Sequence, residues 1–216
     1  MTVQTPIPDF RAAREAMIDS QLRPQGVSDN GVVRAMGSVE RERFVPAEVR
    51  PLAYIDRGLP LGNGRFLPAP TMLGQLLTEL QPKPGERGLV VGSGTGYSAA
   101  VLAAIGVRVT ALESDAALAA QARELGVATV EGPLNQGSAA GAPYDFILID
   151  GAVHFIPDAI IAQLAEGGRL GAALVSGPVA RLIIGRKAGG AFGYYSIGDS
   201  GAPALPGFDR TQSFIF

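Results

Sequence analysis

From Pro84 onward, short apolar runs alternate with helix-patterned segments, and this alternation most restricts what the chain can fold into. The runs at 89–91, 107–112, 128–130, 144–149 and 170–175 are nearly continuous in apolar residues. Strands apolar on both faces belong in a parallel sheet covered by helices on each side. Between them, 98–105 reads as a helix of small residues. Asp115 caps a helix ending near Gly126, and Pro157 opens one that stops at Gly167-Gly168. The tail differs: 182–185, 192–197 and 213–216 read as strands with no helix between them. A turn at Gly189-Gly190 predicts an antiparallel hairpin at one sheet edge. The expected fold is α/β, with a doubly wound, mostly parallel sheet and an antiparallel C-terminal edge.

The first third is patterned differently. Asp9 caps a helix with Phe10, Ala13, Met17 and Ile18 on one stripe, and Asp29 caps a second with Val32, Val33 and Met36. Residues 50–70 are rich in Gly and Pro and read as loops; Pro70 suits the first turn of a helix through Leu80. The expected organisation is a helical and loop region, 1–82, packed over a site in a sheet domain, 83–216, in one compact unit.

Composition removes several function classes. With no cysteine and a single histidine, His154, thiol chemistry and multi-histidine metal sites are excluded, so no metal is expected. A net charge of -2 argues against nucleic-acid binding. The uncharged run 88–107 is long enough to span a bilayer, but Gly88, Gly92, Gly94, Gly96 and Gly106 fit a strand, turn and helix better. No signal peptide is read in Met1 to Phe10. The expectation is a cytoplasmic enzyme without a membrane partner.

The segment Gly92-Ser93-Gly94-Thr95-Gly96-Tyr97 follows a strand and opens a helix. Glycines there let a ligand approach the backbone closely. Tyr97 stands where a dinucleotide fingerprint needs its third glycine, which disfavours a nicotinamide oxidoreductase. Glu113 closes the second strand, where a carboxylate can accept hydrogen bonds from both hydroxyls of a ribose. A plain tight turn and a solvated strand-end charge are the bland alternatives; together the two features point to a nucleoside site at the carboxyl ends of strands one and two.

Several further segments, in order, carry a family resemblance. They are Arg41-Glu42-Arg43-Phe44-Val45-Pro46, Ala53-Tyr54-x-Asp56, Leu59-Pro60-Leu61-Gly62, the stretch from Gly94 to Ala103, and Gln163-Leu164 with Gly167-Gly168-Arg169-Leu170. From about Met17 to Arg186 the chain resembles the protein-L-isoaspartate O-methyltransferases. The resemblance implies the sheet of the class I S-adenosylmethionine methyltransferases, with S-adenosyl-L-methionine as cofactor. It implies methyl transfer to the carboxylate of isoaspartyl residues in damaged peptides or proteins. Carried over, the cofactor residues are Gly92, Ser93, Gly94, Thr95, Gly96, Tyr97, Glu113, Ser114, Gly132 and Pro133. Leu67, Pro68 and Ala69 fall in the substrate segment, and Thr71 and Asp150 are the catalytic candidates.

Three positions depart from the family pattern. Pro68 replaces a serine of the substrate segment, with Thr71 the nearest hydroxyl. Val90 replaces an acidic residue before the first glycines, and Gly132-Pro133-Leu134 replaces a G-D-G motif. These substitutions keep two alternatives open: a methyltransferase for a small molecule or another carboxylate, and a cofactor-binding homologue with impaired catalysis. Thr71 and Asp150 each also have a bland reading as helix-start or capping residues, and His154 as a surface or packing residue.

Overall fold

The computed structural model describes residues 9 to 209. Helices α1 (Phe10–Met17) and α2 (Asn30–Ser38) begin where the acids predict. Asp9 Oδ1 accepts from Ala12 N at 3.0 Å, and Asp29 Oδ1 from Val32 N at 2.9 Å. A short hairpin follows, β1 (Leu59–Gly62) and β2 (Arg65–Leu67), and then α3 (Pro70–Leu80), with Pro70 in its first turn. Next come β3 (Arg87–Val91), α4 (Tyr97–Ile105), β4 (Arg108–Glu113), α5 (Ala116–Glu124) and β5 (Thr129–Glu131). The chain continues through β6 (Tyr144–Val153), α6 (Asp158–Ala162), β7 (Leu164–Ser176), β8 (Val179–Ala188) and β9 (Ala191–Ser200).

The large sheet has the order β5-β4-β3-β6-β7-β8-β9, parallel through β7 and antiparallel beyond it. Alternate strand residues feed opposite faces, as the two-residue repeat of a strand requires. Val90, Phe146, Leu148, Ala173 and Leu182 join Met17, Leu22, Leu73 and Leu76 in one core. Leu89, Val91, Ile147, Ile149 and Leu170 join Leu134, Ile160 and Phe208 in the other. The order reverses between β3 and β6, which is where an open α/β sheet leaves a crevice above its strand ends.

Two expectations need correction. The helix expected from Pro157 to Gly167-Gly168 ends at Ala162, and a strand starts at Leu164. Gln163 closes the helix early, its Nε2 donating to Ala159 O at 3.0 Å and Gln136 O at 2.7 Å. Residues 165–168 then bulge from the sheet, between the pairs Tyr144↔Leu164 and Phe146↔Arg169. The loops expected over 50–70 contain the β1–β2 hairpin, whose turn Asn63-Gly64 has φ of 49° and 71°. Asn-Gly is the residue pair that such a two-residue turn favours. The strand expected at 213–216 lies outside the described residues. Among the described residues, no helix is long and apolar enough to cross a membrane, and no cluster of three metal-ligating side chains occurs.

Candidate active site

The glycine turn sits at the carboxyl end of β3, with Gly92 at φ 76° and Gly94 at φ 56°. Side chains rarely adopt that conformation, so glycine is needed to bring the backbone round. The turn is tied to its surroundings on two sides. Gly94 N donates to Glu113 Oε2 at 2.7 Å, and Thr95 Oγ1 donates to Phe44 O at 2.6 Å.

Glu113 ends β4 with no exposed surface. Its Oε1 accepts from Ser114 N at 2.7 Å and Asp115 N at 3.0 Å. It also forms an ion pair with Arg65, itself only 5% exposed. Arg65 Nη2 donates to Gly92 O at 3.1 Å. Gly132 N donates to Glu113 O at 3.1 Å, which brings Gly132 and Pro133 to the same strand end.

A second group lies beside the first. Arg41 is fully buried, with its Cζ 4.7 Å from the centre of the Tyr97 ring, and Phe44 meets that ring edge-on at 5.6 Å. Arg41 Nε donates to Ala53 O at 2.7 Å and Nη2 to Pro68 O at 2.5 Å. Burial pulls the Arg41 pKa down and pushes that of the Tyr97 phenol up. Asp150, 2% exposed near the end of β6, accepts from Ser98 Oγ at 2.6 Å, while its Oδ1 has no hydrogen-bond partner. Burial raises the Asp150 pKa to about 6, against the opposing pulls of the Ser98 bond, Arg41 and Arg65.

The structure therefore brings Gly92, Gly94, Glu113, Ser114, Gly132 and Pro133 to one strand end. Pro68 joins Arg65, Asp150 and Gly151 around one small cavity. Thr71 is placed elsewhere. Its hydroxyl is 2.6 and 2.7 Å from the two Asp56 oxygens, and with Ala69 it lines a separate cavity of about 330 Å³. Leu67 is buried, and His154 is half-buried just beyond β6. Sequence reasoning missed Arg65 and Leu205. For Arg65 the signal was present, since it directly follows the Asn63-Gly64 turn. Leu205 reaches the crevice through two bonds, Ala152 N to Pro203 O (2.9 Å) and Leu205 N to Ala152 O (2.8 Å). No local pattern announces that docking.

Residues 12–180 match the family described as Protein-L-isoaspartate(D-aspartate) O-methyltransferase (PCMT). The chain belongs to this family. A protein-L-isoaspartate O-methyltransferase of Koribacter versatilis is 38% identical over 197 residues, covering 88% of this chain and 89% of the relative. The Methylorubrum populi enzyme of that name is 44% identical over 165 residues, covering 74% and 78%. A solved structure described as a protein-L-isoaspartate O-methyltransferase of Plasmodium falciparum, in complex with S-adenosyl-L-homocysteine, superposes with a TM-score of 0.78. At 22% identity over 89% of this chain and 97% of that one, it supports the fold. A second structure of the same name gives 0.78 at 23% identity, covering 90% of this chain and 66% of that one.

For this family member, the residues at the strand ends fit an adenosyl group in kind. A buried carboxylate closes β4, and the glycine floor at Gly92 and Gly151 would be obstructed by any Cβ. What stands in that frame in this structure is the chain's own Arg65 and Leu205.

Proposed function

We propose that this chain methylates the α-carboxylate of L-isoaspartyl residues in peptides and proteins, using S-adenosyl-L-methionine. One observation carries the reading: separate family segments interlock around a single crevice. Arg41 of the Arg41–Pro46 segment bonds Pro68 O, and Phe44 O accepts from Thr95 of the glycine turn.

When bound, the cofactor supplies a methyl group already activated on a sulfonium. Glu113 would accept from the ribose hydroxyls, with Gly92, Ser93, Gly94, Thr95, Gly96 and Tyr97 forming the floor and Ser114, Gly132 and Pro133 flanking the base. Of the segment Leu67, Pro68 and Ala69, Pro68 would face the substrate chain, held through Arg41, with Leu67 packed in the core and Ala69 on the neighbouring cavity, and Asp150 would orient the accepting group. An acceptor α-carboxylate has a reference pKa of about 3.3–3.7 and is ionised at neutral pH, so no general base is needed. Catalysis then rests on alignment and partial desolvation. Such chemistry does not require the histidine and nucleophile of a hydrolase, which suits a chain with one histidine and no cysteine.

A second reading has its own support. Pro68 holds no hydroxyl, and that of Thr71 is engaged by Asp56, which favours an acceptor other than isoaspartate. Methyl transfer to a synthetic isoaspartyl peptide and to its normal aspartyl twin separates the two. Transfer to the isoaspartyl peptide alone is expected. Failure on both peptides, with cofactor binding intact, would overturn the isoaspartyl assignment and leave the second reading.

A further inference from the structure

The crevice between β3, β4 and β6 is filled from within. Arg65 enters from the start of β2 and ion-pairs with Glu113, the carboxylate read above as the ribose acceptor. Leu205 arrives on a segment laid along the end of β6. A Cβ added at Gly92 would stand 2.8 Å from Leu205 Cδ1, and one added at Gly151 would stand 2.7 Å from its Cγ. Leu205 thus rests on the glycine floor at the point where the strand order reverses. The cavity left among Arg65, Pro68, Asp150, Gly151 and Leu205 is about 10 Å³, no more than the room of one water molecule.

The two occupants are held differently. The β1–β2 hairpin that carries Arg65 is short, and its register is irregular between Pro60 and Gly62. Two backbone bonds join the Leu205 segment to Ala152, and Phe208 anchors it against Phe155 at 6.2 Å. A guanidinium leaving Glu113 needs another buried acceptor, because an uncompensated charge there is costly. Asp150 lines the same cavity, and its Oδ1 has no hydrogen-bond partner.

We propose that Arg65 and Leu205 are an internal occupant of the nucleoside crevice. They compete with an adenosyl ligand for Glu113 and the glycine floor, and Arg65 transfers to Asp150 when the ligand enters. The inference rests on the cofactor reading above. Its consequence is that only the fraction of molecules with both side chains withdrawn binds cofactor, so the apparent affinity falls by that fraction.

The test is calorimetric titration of the whole chain with S-adenosyl-L-homocysteine, for the unaltered protein, Arg65→Gln and Leu205→Ala. Each variant is expected to bind about tenfold more tightly than the unaltered protein. Without ligand, Arg65→Gln should melt lower, because Glu113 loses its cation, and should gain more from ligand. Equal affinity in all three proteins would overturn internal occupancy while leaving the cofactor reading intact. No binding in any of them would overturn both. Should Arg65→Gln fail to fold, Leu205→Ala decides alone, since it leaves the Arg65–Glu113 pair in place.

Discussion

At the scale of single residues, Asp150 is the most consequential group in the site. Its pKa stands at about 6, raised chiefly by burial, against 3.8 for an ordinary aspartate. A folded-state value above the unfolded one means the folded protein binds the extra proton. Stability from this group is therefore complete below about pH 4 and is lost as pH rises through 6. With each unit worth about 1.4 kcal/mol, the penalty at neutral pH is on the order of 1–3 kcal/mol. Asp150→Asn removes the titration and keeps an acceptor for Ser98. It is expected to unfold at higher urea than the parent at pH 7.5, with the difference gone near pH 4. Methyl transfer in the same variant tests the orienting role: a fall is expected if Asp150 positions the acceptor, and an unchanged rate would remove it from that role. A stability gap equal at both pH values would show that Asp150 titrates normally. The sequence placed this aspartate at the end of an apolar strand, but its second oxygen is left bare by contacts from distant segments. For Arg65 the turn before it is local, but its pairing with Glu113, 48 positions away in the chain, leaves no local mark.

At the scale of elements, what was legible depended on how local its cause is. Asp9, Asp29 and Asp115 cap helices as their places in the sequence predict, each accepting from backbone N–H of its own first turn. The apolar runs gave the parallel strands, because burial on both faces leaves a mark in every residue. The early end of α6 was not legible, since Gln163 closes it with bonds to Ala159 and to Gln136 far upstream. The packing of α3 shows a similar non-local cause. Gly74 lies inside that helix, and a Cβ there would stand 2.7 Å from Cγ2 of Val27, which is fully buried. Alanine would improve helix propensity by about 1 kcal/mol. Overpacking against a buried branched side chain costs about 1–3 kcal/mol, so the clash should win. Gly74→Ala is expected to lower the urea midpoint, and adding Val27→Ala to that variant should recover part of the loss. A double variant less stable than the sum of the two single losses would contradict the contact.

At the scale of the whole molecule, strength and mobility are distributed unevenly across the sheet. The centre, β3 and β6, has Leu89, Val90, Val91, Ile147 and Leu148 fully buried between the two cores. At one edge, β9 exposes Tyr194 and Tyr195, each 56% accessible, and the Leu205 segment lies beyond it in the chain. Amides that open only with global unfolding exchange slowest, and edges and straps exchange through smaller openings. Hydrogen exchange should therefore be slowest in β3 and β6 and faster along β9 and at Leu205, whose N–H is held by Ala152 O at 2.8 Å. Saturating S-adenosyl-L-homocysteine supplies the sharper comparison. A ligand that merely settles on a finished surface protects everything near it. A ligand that must evict Leu205 should slow exchange in the glycine turn at Gly94 while speeding it at Leu205 and at Ala152, whose N–H is held by Pro203 O. Uniform protection at all these amides would mean that the segment stays on β6 and would overturn the eviction of Leu205.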